Sequence, residues 1–487
     1  MTLRRFHRLI PSLLPVVLAA SPLGAAADLS NQYREPANRL IDAALADTAG
    51  YARLAYLCDR IGNRLSGSPA LLKAITWSAA EMKNAGLENV VTPPVKVPHW
   101  VRGAESASLL SPVEKHLHML GLGLSVGTPA GGITADAVVV PNFDALNKLG
   151  KSVAGKIVVY NAPFVNYGQT VAYRSTGASR AADLGAVAVL VRSITPLAMQ
   201  TPHTGALGYA TTSPKIPAAA ITIEDAMMLD RMQQRGEAIR IHLDMQAHME
   251  PDADAANVIG EIRGSEKPDE VVVIGGHIDS WDVGQGAQDD GSGIIAALEA
   301  VALIKQIGLH PRRTIRVVFW VNEENGGKGG QAYRAWIGDH LSDHVAAIEM
   351  DGGAEKPTGF GYGSFRGTRG PRPGDAAPSA PQLNAAEQDS FNICRQIAKL
   401  LERIDAGKAE LGGGGSDIGP LVRDGVPGLS PSNAALHYFD WHHTEADTVD
   451  KVDPEDFRRN IAVLAVLSYV LADMPGKLAG RKNAAAE

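Results

Sequence analysis

The chain has 487 residues, of which 45% are hydrophobic and 20% charged, with a formal net charge of −7. That length exceeds one ordinary core, at roughly 150 residues per domain, and implies two or three domains. The composition excludes a disordered or fibrous chain, and the acidic balance without a polybasic run excludes nucleic acid as the expected partner.

The first residues read as a targeting signal. "MTLRRFHR" is basic, "LIPSLLPVVLAA" is a short apolar core and "GAAAD" offers small residues for cleavage after Ala27. An apolar run of about 12 residues is short for a bilayer span, so residues 1–27 are expected to be a cleavable signal peptide on an exported protein. No span is expected after its removal. Loss of Arg4, Arg5 and Arg8 then takes the net charge from −7 to −10. The two cysteines, Cys58 and Cys394, stand far apart and outside any C-x-x-C setting. They read as buried thiols, with a disulfide left open.

Residues 36–87 show helical periodicity in "NRLIDAALAD" and "LLKAITWSAAEMKNAG", the second stopping at Gly86. From 92 to 125 the pattern changes to strands and turns. Residues 126–255 have a different texture, with β-branched runs such as "ADAVVV", "GKIVVYNA" and "AVAVLV" around one clear helix, "STGASRAADLG". They are expected to form a self-contained β-rich module, in which His203 of "TPHTG" reads as part of a surface loop, with a reach into the site from the module as the alternative. From 256 to 475 strands and helices alternate. A Pro/Gly-rich loop, "RGTRGPRPGDAAPSAPQL", occupies 366–383, and 476–487 are expected to be a disordered tail.

The chemistry gathers where apolar runs end. "VVVIGG" (271–276) leads into His277 and Asp279. "IRVVFWVN" (315–322) leads into Glu323 and Glu324, and "VAAIEM" (345–350) into Asp351. A fourth run, "VPGLSPS" (426–432), leads to "DWHHTEADT" with His442 and His443. Such runs suit strands buried on both faces, and in such sheets ligands bind beyond the carboxyl ends of the strands. A lone H-x-D, a Glu pair or an Asp before Gly-Gly is weak by itself. Their occurrence at successive strand ends is what carries the reading.

Carboxylates converging without Lys or Arg, apart from Lys328 four residues after Glu324, would repel one another. Bound cations remove that repulsion. Mixed His and carboxylate donors suit zinc, with manganese or cobalt less favoured, and the donors exceed what one ion needs. Two ions sharing a bridging carboxylate is the better count.

The set "HIDSWDVGQGAQDDGSG", "NEENGG", "EMDGG" and "HHTEADT" resembles the co-catalytic dizinc exopeptidases of the leucyl aminopeptidase and glutamate carboxypeptidase type. The likeness extends over nearly all of the mature chain, through "RLAYLCDRIGNRLSGS", "PHWVRG" and "SPKIPAAAIT". It implies an α/β fold: a three-layer α/β/α zinc-exopeptidase catalytic domain with a mostly parallel mixed sheet, built from 28–125 and 256–475. The module at 126–255 would be an inserted protease-associated domain. It implies two zinc ions per chain, one held by His277 and Asp351, the other by Glu324 and His443, with Asp289 bridging both. His442 is the alternative to His443. Glu323 would be the general base to a zinc-activated water, and Asp279 would orient His277. A cis Asp289–Asp290 peptide and a homodimer are implied as well. The 366–383 loop has no counterpart in the family pattern, which leaves specificity open.

The implied activity is hydrolysis of terminal bonds in short unblocked peptides or dipeptides. Direction, whether carboxypeptidase or aminopeptidase, is not set by the metal residues. An aminoacylase-type hydrolase would carry a different insertion from the one at 126–255. A receptor-like binding protein of the same architecture would have lost metal residues, and here every such position is filled.

Overall fold

The computed structural model describes residues 28–363 and 382–481. The expected signal peptide, all but the end of the Pro/Gly-rich loop and the last six residues lie outside the described residues.

The first sheet has eight strands in the order Glu88–Val91, Val258–Ile262, Arg313–Trp320, Lys267–His277, His344–Glu349, Gly428–Asn433, Pro357–Tyr362 and Lys408–Leu411. The four strands from Arg313–Trp320 to Gly428–Asn433 run parallel, and antiparallel pairs flank them. Alternate side chains leave the sheet on opposite faces. Val272 and Ile274 join the large core with the helices Ser292–Gln306 and Pro454–Asp473. Val273, Val318 and Ala347 join a smaller core with Tyr333 and Ile337 of the helix Lys328–Ile337. Helices therefore cover both faces, which is why these strands read as continuous apolar runs.

The N-terminal helices are Arg34–Leu45, Ala49–Tyr56 and Pro69–Asn84. The last begins with Ser68 Oγ accepting the Leu71 N–H and with Pro69 in its first turn. It ends where Gly86 takes φ +83°, the left-handed turn that glycine tolerates best.

A second eight-stranded sheet takes its strands from 105–245, in the order Lys115–Leu117, Glu105–Ser111, Arg240–Met245, Ile133–Val140, Ile157–Tyr160, Ala188–Arg192, Ala218–Ile221 and Met119–Gly121. It begins ahead of the boundary expected at 126. Strands from Glu105 onward belong to it, although their composition resembles the segment before them. Its centre is parallel from Ile133–Val140 to Ala218–Ile221, and the helices Phe143–Leu149 and Ala172–Ala182 supply crossovers that parallel strands require. A two-stranded ribbon, Pro94–Val101 with His248–Ala256, connects the sheets.

Residues 476–481, expected to open a disordered tail, are instead tied down. Ala479 donates its N–H to Ser390 Oγ at 2.8 Å, and Arg481 pairs with Glu387. Cys58 and Cys394 are both free and buried. No helix among the described residues is long and apolar enough to cross a membrane.

Candidate metal centre

The four parallel strands end at one edge, and the centre lies there. His277 is the last residue of its strand. The two glycines before it are required by close approach. A Cβ on Gly275 would strike Val318 O of the neighbouring strand, and one on Gly276 would strike the Asp290 carboxylate. That carboxylate accepts the His277 N–H at 3.0 Å and the Gly293 N–H at 3.0 Å, locking strand end to helix start. The Asp289–Asp290 peptide is cis, as the resemblance implied.

Asp289 stands between two imidazoles. Its Oδ1 is 3.2 Å from His277 Nε2, which is also 3.3 Å from Asp351 Oδ1. Its Oδ2 is 3.2 Å from His443 Nε2, which is also 3.1 Å from Glu324 Oε2. Donors around tetrahedral zinc, with bonds of about 2.0–2.1 Å, are spaced about 3.3–3.4 Å apart. Both clusters match that spacing, so the residues present fit two zinc ions sharing one carboxylate. His442 Nε2 is farther from Asp289 Oδ2, at 3.6 Å, and its ring stacks on His443.

The nitrogens facing away from the clusters are occupied. His277 Nδ1 lies 3.0 Å from the Asp279 carbonyl oxygen, and His443 Nδ1 lies 3.3 Å from the Thr204 carbonyl oxygen. A proton held at each Nδ1 leaves the Nε2 lone pair for a cation. Asp279 meets the His277 ring through its carbonyl, while its carboxylate Oδ1, 3.8 Å from His277 Nδ1, accepts the Glu323 N–H at 3.1 Å. The strand end turns here so that the main chain, not the carboxylate, meets the ring.

Electrostatics agree with a cation site. Burial pushes Glu324 up to about 8 and Asp351 up to about 6. Burial also opposes the charge on Asp289, yet His277 and His443 hold it well below the usual carboxylate range. Burial opposes the imidazolium of His443, yet Glu324 and Asp289 lift it to about 10. The ion pairs found for Asp289, Glu324 and Asp351 among the described residues are all with histidines. Lys328 is exposed, and the buried Arg64 spends its guanidinium on the carbonyls of Ile278, Gln285 and Gly286.

Glu323 is half-buried in the turn after Arg313–Trp320, beside the buried Glu324. The cleft above the centre is lined by Trp281, Val283, Glu324, His443 and Thr444.

One support escaped the sequence reading, and another was read chiefly as surface. Asp447 accepts the N–H groups of Ala287, Gln288 and Asp289 at 3.2, 2.7 and 3.2 Å, and so fixes the bridging loop. It lies in the quoted "HHTEADT", but nothing in that motif names a partner at 287–289. His203, expected on a surface loop, is 3% exposed and packs against His442 and His443, and its burial lowers it to about 3. The surrounding Thr, Gly and Pro residues hid that burial.

Comparison with known proteins gives consistent results. The model of peptidase family M28 matches residues 257–468. Carboxypeptidase Q of Xenopus laevis is 44% identical over 447 residues, covering 91% of each chain. Carboxypeptidase Q of Homo sapiens is 43% identical over 429 residues, covering 88% of this chain and 86% of that one. A peptidase M28 precursor from Shewanella amazonensis SB2B superposes with a TM-score of 0.84 at 33% identity, covering 92% of this chain and 98% of that one.

Proposed function

The chain belongs to peptidase family M28 and is a zinc-dependent exopeptidase, and we propose that it works through two zinc ions that share Asp289. The observation that carries this is the pair of Asp289 oxygens, each 3.2 Å from one imidazole Nε2 that also meets one further carboxylate. His277 and Asp351 would hold one ion, and Glu324 and His443 the other.

Zinc, when bound, lowers the pKa of a water and polarises the scissile carbonyl. Glu323 takes the water's proton and returns it to the leaving amine. Its turn is fixed by the Asp279 carboxylate on its own N–H, so the base stays in place through turnover. A carbonyl oxygen beside each Nδ1 favours a proton there, so His277 and His443 would offer Nε2 to the ions. Relatives named carboxypeptidase Q support release of residues from the carboxyl end, and the substrates proposed are the short unblocked peptides or dipeptides that the family resemblance implies. We assign the sheet of 105–245 as a protease-associated domain set into the catalytic chain, and read the protein as exported after signal removal.

Metal analysis of the purified mature chain, paired with a panel of dipeptides and tripeptides with and without chelator, tests this. Two zincs per chain and chelator-sensitive cleavage are the expected result. One zinc per fully active chain would overturn the shared-carboxylate centre, and release of residues only from the amino end would overturn the carboxypeptidase direction.

A further inference from the structure

We propose that the segment 203–205 of the second-sheet domain is a positioning element of the metal centre, holding His443 in the orientation that zinc needs. The inference rests on His443 being a ligand, as proposed above, and goes beyond it by assigning part of the ligand's control to the other domain.

Four observations carry it. First, Thr204 grips His443 from both sides. Its N–H donates to the His443 carbonyl at 3.0 Å, and its carbonyl faces His443 Nδ1 at 3.3 Å. Second, His443 has φ +61°, a left-handed conformation that a residue with a bulky ring adopts only when its surroundings hold it there. The Thr204 N–H on its carbonyl is one of those restraints.

Third, Arg174 secures the clamp. This side chain, 7% exposed, reaches from the helix Ala172–Ala182 and donates Nη1 to the Thr204 carbonyl at 3.2 Å and Nη2 to Tyr167 Oη at 2.7 Å, and the same Nη1 lies 3.4 Å from His443 Nδ1. Fourth, Gly205 has φ +133°, and a Cβ there would collide with the Arg174 guanidinium and His443 Nδ1. The absence of a side chain at 205 lets the loop lie directly on the ligand. The buried His203 fills the space beside His442 on the preceding side.

The consequence is asymmetric. His277 is oriented by the Asp279 carbonyl within its own domain, whereas His443 is oriented by a carbonyl from the other domain. Loosening the clamp should therefore weaken one zinc site and spare the other.

The test titrates the metal-free, full mature chain with zinc against a chromophoric chelator, with thermal melting of the same samples. Gly205→Ala, Arg174→Met and Arg174→Lys are compared with wild type. Partners that orient a ligand are typically worth 10–100-fold in metal affinity, so Gly205→Ala and Arg174→Met should weaken one ion by about 10-fold or more. The other ion should bind as in wild type and Arg174→Lys should recover part of the loss; the strained Gly205→Ala lowers the metal-free melting temperature, so the stability criterion is read on the Arg174 variants, whose metal-free melting temperature should hold. Unchanged affinity for both ions overturns the proposal. So does equal weakening of both, or a loss that follows falling stability of the metal-free protein, since either describes general damage. If Gly205→Ala does not fold, the Arg174 pair decides by the same criteria. Wild type binding fewer than two ions would instead sink the dizinc reading itself, and the inference with it.

Discussion

The Asp279 carboxylate accepts the main-chain N–H of Glu323 at 3.1 Å. It thereby connects the end of one parallel strand to the turn after its neighbour. The family resemblance implied that Asp279 orients His277, and the group of Asp279 nearest that ring is its carbonyl. Asp279→Ala should therefore spare zinc binding and lower kcat by about 10–100-fold, the usual cost of losing an outer support. Zinc content and steady-state kinetics on one preparation check this. A large loss of zinc with normal turnover of the zinc-loaded fraction would return the carboxylate to the role of orienting His277.

Glu323 and Glu324 are neighbours with different surroundings, one half-buried and one buried against His443. Glu323→Gln keeps the shape and removes the base. It should retain both zincs and lose about 10²–10⁴ in kcat, the range for general acid–base groups. Activity within about tenfold of wild type would mean another group moves the proton.

Asp447 spans three consecutive N–H groups of the loop that carries Asp289. Asp447→Asn places an amide NH2 against one of them, a donor facing a donor. Because Asp289 serves both clusters, both zinc affinities should fall, by about tenfold, and fall together. Chelator titration distinguishes this shared loss from the one-sided loss expected of the Thr204 clamp.

His344 titrates away from the centre. It is buried at the start of a central strand, with Nδ1 3.0 Å from the His340 carbonyl and Nε2 2.9 Å from Tyr333 Oη. Burial lowers it to about 4 from 6.5. The unfolded chain takes up this proton first, so the contribution is present above pH ~6.5 and lost as pH falls toward ~4. Between pH 7 and pH 5 the wild type should lose about 2 kcal/mol more stability than His344→Gln. Denaturant titrations at the two pH values measure it, and parallel losses would exclude His344 as the source.

The positions of the donors were legible because a strand buried on both faces is apolar along its whole length. Where "VVVI", "VVFW" and "VAAI" stop, the chain reaches an edge, and a polar residue there has a reason. The start of the second sheet was not legible at the strands Glu105–Ser111 and Lys115–Leu117. Each strand's local pattern fits either sheet, and only pairing across long sequence separations assigns it. The six residues from 476 looked like a free tail for the same reason, since Ser390 and Glu387 are remote in sequence.

The sequence by itself determined the family, the donor types and the strand ends that carry them, because these are local: hydrophobic period, glycine placement and short spaced motifs. The tertiary structure showed how the donors group around Asp289, and that of His442 and His443 only the latter's Nε2 meets both Asp289 and Glu324. It alone gave Asp279, Asp447 and Thr204 their partners. A carboxylate or carbonyl acts on whatever lies within about 3 Å of it, and folding sets that distance between residues 44 to 239 apart in the chain.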